Sequence, residues 1–474
     1  MKILYVTSEA NPFAASGGLG DVMGALPAAV SREGNDVSVI LPLYNDIDIK
    51  FKEKFEHLTD LSFNLSWRRT GASVYRYNKE NVIYYFIKNN YYFDRANLYG
   101  EYDDGERFAF FSIAVIEFML KENYIPDILH ANDWQTALSI IYLKTIYSKN
   151  ETLKKIRTVY TVHNIEYQGK YDKYILGDVF ALDNKYIDIV EFNGCINLMK
   201  GALTVSDYIT TVSPNYAREL TYDYFSFGLS EIIKNISNKF SGVINGIDYS
   251  YFSPRINNEI YYSYTSENFI YGKLKNKEAL QSELGLENDA KIPLLAMITR
   301  ITETKGIDLI VNIIEELLLE NIQFVLLGTG EKEYENIFLK LEKKYSNFKS
   351  IIKFDRILSK KIYASCDIFI MPSKSEPCGL AQMIACSYGA VPIVHSVGGL
   401  SDSIKPYGKY ENANGFSFDS FNAHELLFTL KDALILYNDK EKWFNLTKNA
   451  INSDFSWNKS AKEYISIYND LLKW

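Results

Sequence analysis

The segment Pro372-Ser373-Lys374-Ser375-Glu376-Pro377-Cys378-Gly379-Leu380 sets a carboxylate three residues before a glycine, and a helix is expected to start near Leu380. The N–H groups of Gly379, Leu380 and Ala381 would then point from a helix N-terminus, where they can hold phosphate. Glu376 can accept hydrogen bonds from sugar hydroxyls. A second anion-holding turn is expected at Val397-Gly398-Gly399-Leu400. Arg300 and Lys305 lie on one loop further upstream. A planar guanidinium fork and an ammonium point charge together suit a diphosphate. Near the N-terminus, Ser8-Glu9-Ala10 leads into Ser16-Gly17-Gly18-Leu19-Gly20-Asp21. Paired glycines let backbone N–H groups approach an anion, although a plain tight turn uses the same residues. His130 with Asp133-Trp134, and His163-Asn164, follow two apolar runs. Each group has a plainer role as well: surface charges for Arg300 and Lys305, a capping carboxylate for Glu376, structural imidazoles for the histidines. Cys378 reads as a small packing residue, since nothing marks it as a nucleophile. HExxH is absent, and the chemistry is expected to proceed without a metal.

These residues need strand ends to hold them. Strands are expected at Lys2–Thr7, Val37–Leu41, Val82–Ile87, Asp127–His130, Arg157–Val162 and Tyr208–Val212, and again at Pro293–Ile298, Gln323–Leu327, Ser350–Phe354, Asp367–Met371 and Val391–Val394. Runs this apolar are buried on both faces, as in parallel sheets covered by helices. After Gly306, the spacing of Ile307, Ile310, Val311, Ile314, Leu317 and Leu318 marks one face of a helix. The strand–loop–helix pattern restarts near Pro293, after a Tyr-, Asn-, Ser- and Lys-rich stretch from Asn245 to Asn288. The expectation is an α/β chain of two doubly wound Rossmann-like domains with a junction near Ile247–Pro254, facing each other across a cleft. In such sheets ligands sit at the C-terminal ends of strands.

Composition narrows the classes. The 474 residues are 47% hydrophobic and 23% charged, which excludes a largely disordered or fibrous chain. A net charge of -8 argues against a nucleic-acid or anionic-lipid partner. Four scattered cysteines without a CxxC pair point to a reducing compartment. The apolar run from Phe108 to Leu120 contains Glu117 and is too short for a bilayer, so a buried helix is expected. No signal segment is visible, so a cytoplasmic location with no membrane partner follows.

Taken in order, the motifs resemble those of bacterial glycogen synthases and plant starch synthases, nearly end to end. They are Ser8-Glu9 with Gly17-Gly18-Leu19, Tyr92-Phe93-Asp94-Arg95, His163-Asn164-Ile165-Glu166-Tyr167-Gln168-Gly169, Ser213-Pro214-Asn215-Tyr216-Ala217 and Asn245-Gly246-Ile247-Asp248. Lys273 with Asn276-Lys277, Arg300 with Lys305-Gly306, Gly328-Thr329-Gly330, Glu376 to Leu380 and Gly398-Gly399-Leu400 complete the set. The resemblance implies a two-domain GT-B glycosyltransferase, with domains at 1–248 and 249–457 and a last helix, 458–474, crossing back to the first. It implies retaining transfer of glucose from ADP-glucose, with UDP-glucose as the alternative donor, to the 4-OH end of glycogen or a maltooligosaccharide, and no cofactor. Arg300 and Lys305 would bind the diphosphate, and Glu376 would hold the donor glucose beside Cys378, Gly379, Leu380, Ala381, Gly398 and Gly399. Gly17, Gly18 and Asn245 would also reach the donor. Phe354 stands where the family stacks an aromatic ring on adenine. His163 and Asp133 would line the glucose and acceptor side, and Tyr92, Asp94 and Arg95 would bind the acceptor. The family's Lys-x-Gly-Gly-Leu motif has Ala15 at its lysine position here, and Val397 replaces a common threonine. Rival readings are a sucrose- or trehalose-forming transferase, a glucan-binding protein without turnover, and a nicotinamide oxidoreductase, the last opposed by the missing GxGxxG.

Overall fold

A computed structural model describes residues 1–255 and 258–473. The chain divides into two compact units. The first holds Met1–Gly246 and the residues from Trp457 on, and the second holds Ile247–Ser456.

The first unit is built on strands β1 (Lys2–Val6), β2 (Asp36–Pro42), β3 (Glu56–Leu65), β4 (Arg68–Lys79), β5 (Val82–Lys88), β6 (Ile128–Asn132) and β7 (Arg157–Val162). A small three-stranded sheet follows, from β8 (Lys170–Asp172), β9 (Glu191–Phe192) and β10 (Cys195–Asn197), and then β11 (Tyr208–Thr211) and β12 (Phe240–Gly242) complete the main sheet. Its order is β12-β11-β7-β6-β1-β2-β5-β4-β3. The pairs from β12 to β5 are parallel, and their apolar runs are buried on both faces. β3 and β4 form an antiparallel hairpin at the edge, with the two-residue turn Ser66-Trp67. They alternate buried and exposed residues because one face meets solvent, so they lack the apolar runs that reveal the other strands. The expected buried helix is Asp104–Lys121. The last helix, Trp457–Leu472, packs on Gly18–Arg32 in this unit and buries Tyr464 and Tyr468.

The second unit has six parallel strands: β13 (Leu294–Ile298), β14 (Gln323–Gly328), β15 (Phe348–Ile352), β16 (Ile368–Met371), β17 (Val391–His395) and β18 (Phe416–Phe418), in the order β15-β14-β13-β16-β17-β18. Helix Ile307–Leu317 buries Ile307, Ile310, Ile314 and Leu317 as its spacing predicts, and Leu309 and Ile313 as well. One strand is shifted. Residues 350–354 were expected to be extended, but Phe348 is the residue that packs on Phe324 and Phe338, so β15 starts there and stops at Ile352. Asp355 then caps helix Arg356–Ser365 through the Leu358 N–H. Phe354 falls in the connection and is 79% exposed.

In both sheets the strand order reverses beside the first strand. The reversal lies between β1 and β6 in the first unit and between β13 and β16 in the second. These are the positions where loops diverge and open a crevice for a ligand.

Candidate functional site

In the second unit, Arg300 follows β13 and Glu376 follows β16, so neighbouring strands carry both to one sheet edge. Arg300 is exposed, and among the described residues its guanidinium has no ion-pair partner. Lys305 was expected as a second free cation. Instead its Nζ lies 2.5 Å from Glu376 Oε2. The Glu376 side chain is buried, and Ser373 Oγ donates to the same oxygen at 3.0 Å.

The two loops are locked by their backbones. The Lys374 N–H donates to Thr304 O. A Cβ on Gly306 would stand 2.1 Å from Pro372 O, and one on Gly398 would stand 1.9 Å from Glu376 O. Only glycine permits those approaches. The Gly399 N–H is shared between Glu376 O and Pro377 O, both at 3.2 Å. The second glycine pair therefore braces the Glu376 loop, and this N–H is already taken rather than free for an anion. Cys378 is buried, with its backbone against Gly399. Leu380 and Ala381 are half-buried on the first turn of helix Ala381–Ser387, where N–H groups have no intrahelical acceptor, and Gly379 precedes them with φ +73°.

His395 was not singled out from sequence. It stacks on Phe418 and meets Ser373 O through Nδ1 at 2.8 Å. A carbonyl can only accept, so Nδ1 carries the proton and His395 fixes the Ser373 turn that in turn holds Glu376. A buried histidine inside β17 carries no sequence signal for that task.

In the first unit, the Glu9 carboxylate is buried and accepts from Ser16 N, Ser16 Oγ, Gly17 N and Tyr99 OH at 2.6, 2.7, 3.3 and 2.6 Å. It shapes the loop whose Gly17 and Gly18 begin helix Gly18–Arg32. A side chain at either glycine would meet nothing within 4 Å. Packing does not demand these two glycines, and they leave the helix N-terminus open to an approaching group.

Asp133 stands before helix Trp134–Lys144 with φ 58° and ψ 178°, a conformation that costs a non-glycine residue about 1–3 kcal/mol. Its Oδ1 accepts the His163 N–H at 2.7 Å. His163 Nε2 lies 2.9 Å from Asn132 Oδ1. The Asn132 amide nitrogen is occupied by the carbonyls of Val6 and His130, so its oxygen faces the ring. Nε2 is then the donor, and Nδ1 keeps its lone pair. Burial lowers the His163 pKa to about 3, so this imidazole is neutral at physiological pH. His130 lies wholly inside, between Thr161 and Tyr468, and is structural.

Burial pushes the Asp133 carboxyl up to about 7, against the N–H groups of His163 and Asn164, which hold it down. The folded state thus binds this proton more tightly than the unfolded chain. The stability so gained is full below the ordinary carboxylate range and is lost as pH rises through about 7. An Asp133→Asn variant cannot titrate. It should lose less of its melting temperature than the wild type between about pH 5 and about pH 8. Thermal scans at the two values check this, and equal losses would assign the effect to another group.

Asn245 is buried close to the end of this unit's first segment, and its Oδ1 has no hydrogen-bond partner among the described residues. Of the expected acceptor residues, Tyr92 is not at the surface: its ring stacks on Phe110 and its hydroxyl donates to Glu106. Asp94 is exposed, and Arg95 is half-buried against Asp103 and Tyr91 O. Among the described residues no group of three or more His, Cys, Asp or Glu could hold a metal ion, and no helix is long and apolar enough to cross a membrane.

Residues 2–235 match the family described as starch synthase catalytic domain, and residues 278–452 match glycosyl transferases group 1. A glycogen synthase of Clostridium botulinum (strain Alaska E43) is 46% identical over 99% of this chain and 99% of its own length. One from Clostridioides difficile is 42% identical over 99% of this chain and all of its own. The catalytic domain of starch synthase IV from Arabidopsis thaliana, solved with ADP and acarbose, superposes with a TM-score of 0.92 at 33% identity, covering 100% and 99% of the two chains. A sucrose-phosphate synthase from Thermosynechococcus elongatus, at 15% identity and a TM-score of 0.63, shares the fold alone. Two doubly wound α/β units of the GT-B class, matched along their whole length, place the chain in the glycogen synthase family of nucleotide-sugar glycosyltransferases.

Proposed function

We propose that the chain lengthens α-1,4-glucan by moving glucose from ADP-glucose to a non-reducing 4-OH, with retention at the anomeric carbon and without a metal ion. The observation that carries this is the cluster at the β13/β16 reversal: a guanidinium with no ion-pair partner among the described residues, a lysine seated on a buried carboxylate, and an open first turn of helix. Such a cluster meets a diphosphate with fixed positive charge, the task a divalent ion performs in other transferases. The starch synthase relative, solved with ADP, supports adenine as the base, and Phe354 offers an exposed ring for it.

The glucose C1–O bond to the β-phosphate loosens while Arg300, Lys305 and the N–H groups near Gly379 take up the charge of the departing diphosphate. Glu376 holds glucose hydroxyls. Among the described residues its carboxylate meets Lys305 and Ser373 and no second carboxylate as in double-displacement glycosidases, which favours attack from the same face. The acceptor 4-OH bonds to C1, its proton passes to the departing phosphate oxygen, and ADP leaves. Neutral His163 offers Nδ1 to a sugar hydroxyl, and positioning supplies much of the acceleration. Gly17, Gly18 and Asn245 complete the donor contacts, and Asp94 and Arg95 meet the acceptor.

A matched assay with ADP-glucose and UDP-glucose over glycogen tests this. Faster incorporation from ADP-glucose, into α-1,4 linkages and at the same rate with EDTA present, is expected. Transfer to a small sugar instead of glycogen, or no release of nucleotide, would overturn it.

A further inference from the structure

Trp67 is 73% exposed. It occupies the turn of the β3–β4 hairpin, and it is not free to swing. Its indole N–H donates to the Asp178 carboxylate. The Arg68 guanidinium lies 4.6 Å from the ring centroid. Arg68 is itself pinned, with Nη1 donating to Asp178 O at 2.5 Å, Nη2 to Asp178 Oδ2 at 3.2 Å, and Nε lying 3.4 Å from Glu106. Three polar anchors thus hold a large apolar ring in water, where burial would otherwise favour it by about 1.5–3 kcal/mol, as for other large apolar side chains.

The topology says where this ring stands. β3 is antiparallel to β4, β4 is antiparallel to β5, and β5 is parallel to β2 and β1. The turn after β3 therefore lies on the same edge as the C-terminal ends of β1 and β6, which carry Gly17 and Asp133. It is three to four strands from β1 and four to five from β6 along the sheet, roughly 15–25 Å at the usual strand spacing. Between them, on the same edge, β5 runs into the Tyr91–Arg95 segment. A chain of contacts joins the two: Tyr92 OH donates to Glu106, which also meets Arg68. Tyr92 thus braces Arg68 rather than touching a ligand. Tyr91 beside it is exposed.

We infer that Trp67 is an outlying glucan subsite: it stacks on the apolar C–H face of a glucose unit of a long α-glucan whose growing end lies at the β1/β6 reversal. This rests on the transfer reaction proposed above and adds to it a preference for long acceptors. A pyranose presents polarised C–H groups to an aromatic face and hydroxyls at its rim; here Asp178 meets the N–H edge of the ring and Arg68 lies over one face, so the sugar takes the opposite face. A tethered ring also loses little freedom on binding.

The test compares the wild type with Trp67→Ala and Trp67→Phe. In native gels containing glycogen, Trp67→Ala should lose most of its retardation, and Trp67→Phe, which keeps a ring but no N–H, should fall between. The KM for glycogen should rise about 3–10-fold in Trp67→Ala, the factor expected of one stacking contact. The KM for maltotriose, the KM for ADP-glucose and kcat should stay unchanged. Unchanged retardation and unchanged glycogen KM would overturn the subsite. An equal rise for maltotriose and glycogen would overturn it too, since Trp67 would then act at the reacting end. Retardation needs no turnover. A wild type that binds glycogen through Trp67 yet releases no nucleotide would uphold this subsite and remove the transfer reaction instead.

Discussion

Replacing Arg300 with alanine should cut kcat by about 10²–10³ and leave the melting temperature within about 1 °C of the wild type. The two halves of this expectation have separate causes. Arg300 is exposed, and among the described residues its guanidinium has no ion-pair partner, so the fold loses almost nothing with it. Its backbone still bonds Thr302, and the flanking Thr299 and Ile301 N–H groups still reach Leu327 and Thr329. The loop therefore keeps its place without the side chain. What goes, on the proposed function, is the bidentate donor for the leaving diphosphate. That charge peaks in the transition state, so the loss should appear in kcat more than in the KM for the donor. Arg300→Lys should recover only part of the rate, because an ammonium cannot reproduce the planar fork. Steady-state rates beside thermal scans decide it. Near-normal kcat in Arg300→Ala would remove Arg300 from the reacting centre. A large drop in melting temperature would make it a structural residue.

Much of the fold was legible, because parallel strands buried on both faces leave apolar runs that no surface segment imitates. β1, β2, β5, β7 and β13 are such runs. β3 and β4 have a solvent face, and β18 is three residues long, so none of them leaves that mark. The residues of the site were legible in type and not in allegiance. Lys305 reads as a free cation until its partner, 71 positions away, is seen at 2.5 Å. Gly398-Gly399 reads as an anion turn until the backbone of the Glu376 loop is found against it. Two lysines of the motif set also have structural partners: Lys273 is buried on the carbonyls of Cys366 and Tyr388, and Lys277 on Asp367 and Ala290 O, where they tie helix Phe269–Leu284 to the sheet. Sequence separation hides such pairs. A tether like Trp67 to Asp178, 111 positions apart, is equally invisible before the chain is folded.

The Lys305–Glu376 pair should behave unlike Arg300. Lys305→Met is expected to lose about 10²–10³ in kcat and also about 2–3 kcal/mol of stability, because it leaves a buried carboxylate with Ser373 as its remaining side-chain donor. Glu376→Gln should lose as much rate and less stability. The Lys305 side chain keeps 18% of its surface, so an abandoned ammonium can turn to water more readily than the carboxylate can. The double variant Lys305→Met/Glu376→Gln removes both charges and leaves none stranded. Its stability should return to within about 1 kcal/mol of the wild type, while its rate stays as low as that of the worse single variant. Denaturant melts give the first quantity, and nucleotide release over glycogen gives the second. Additive stability losses would mean that the two groups do not support each other in the folded chain. Recovery of rate in the double variant would mean that the pair merely restrains the site, and that the charges themselves are not spent on the departing diphosphate.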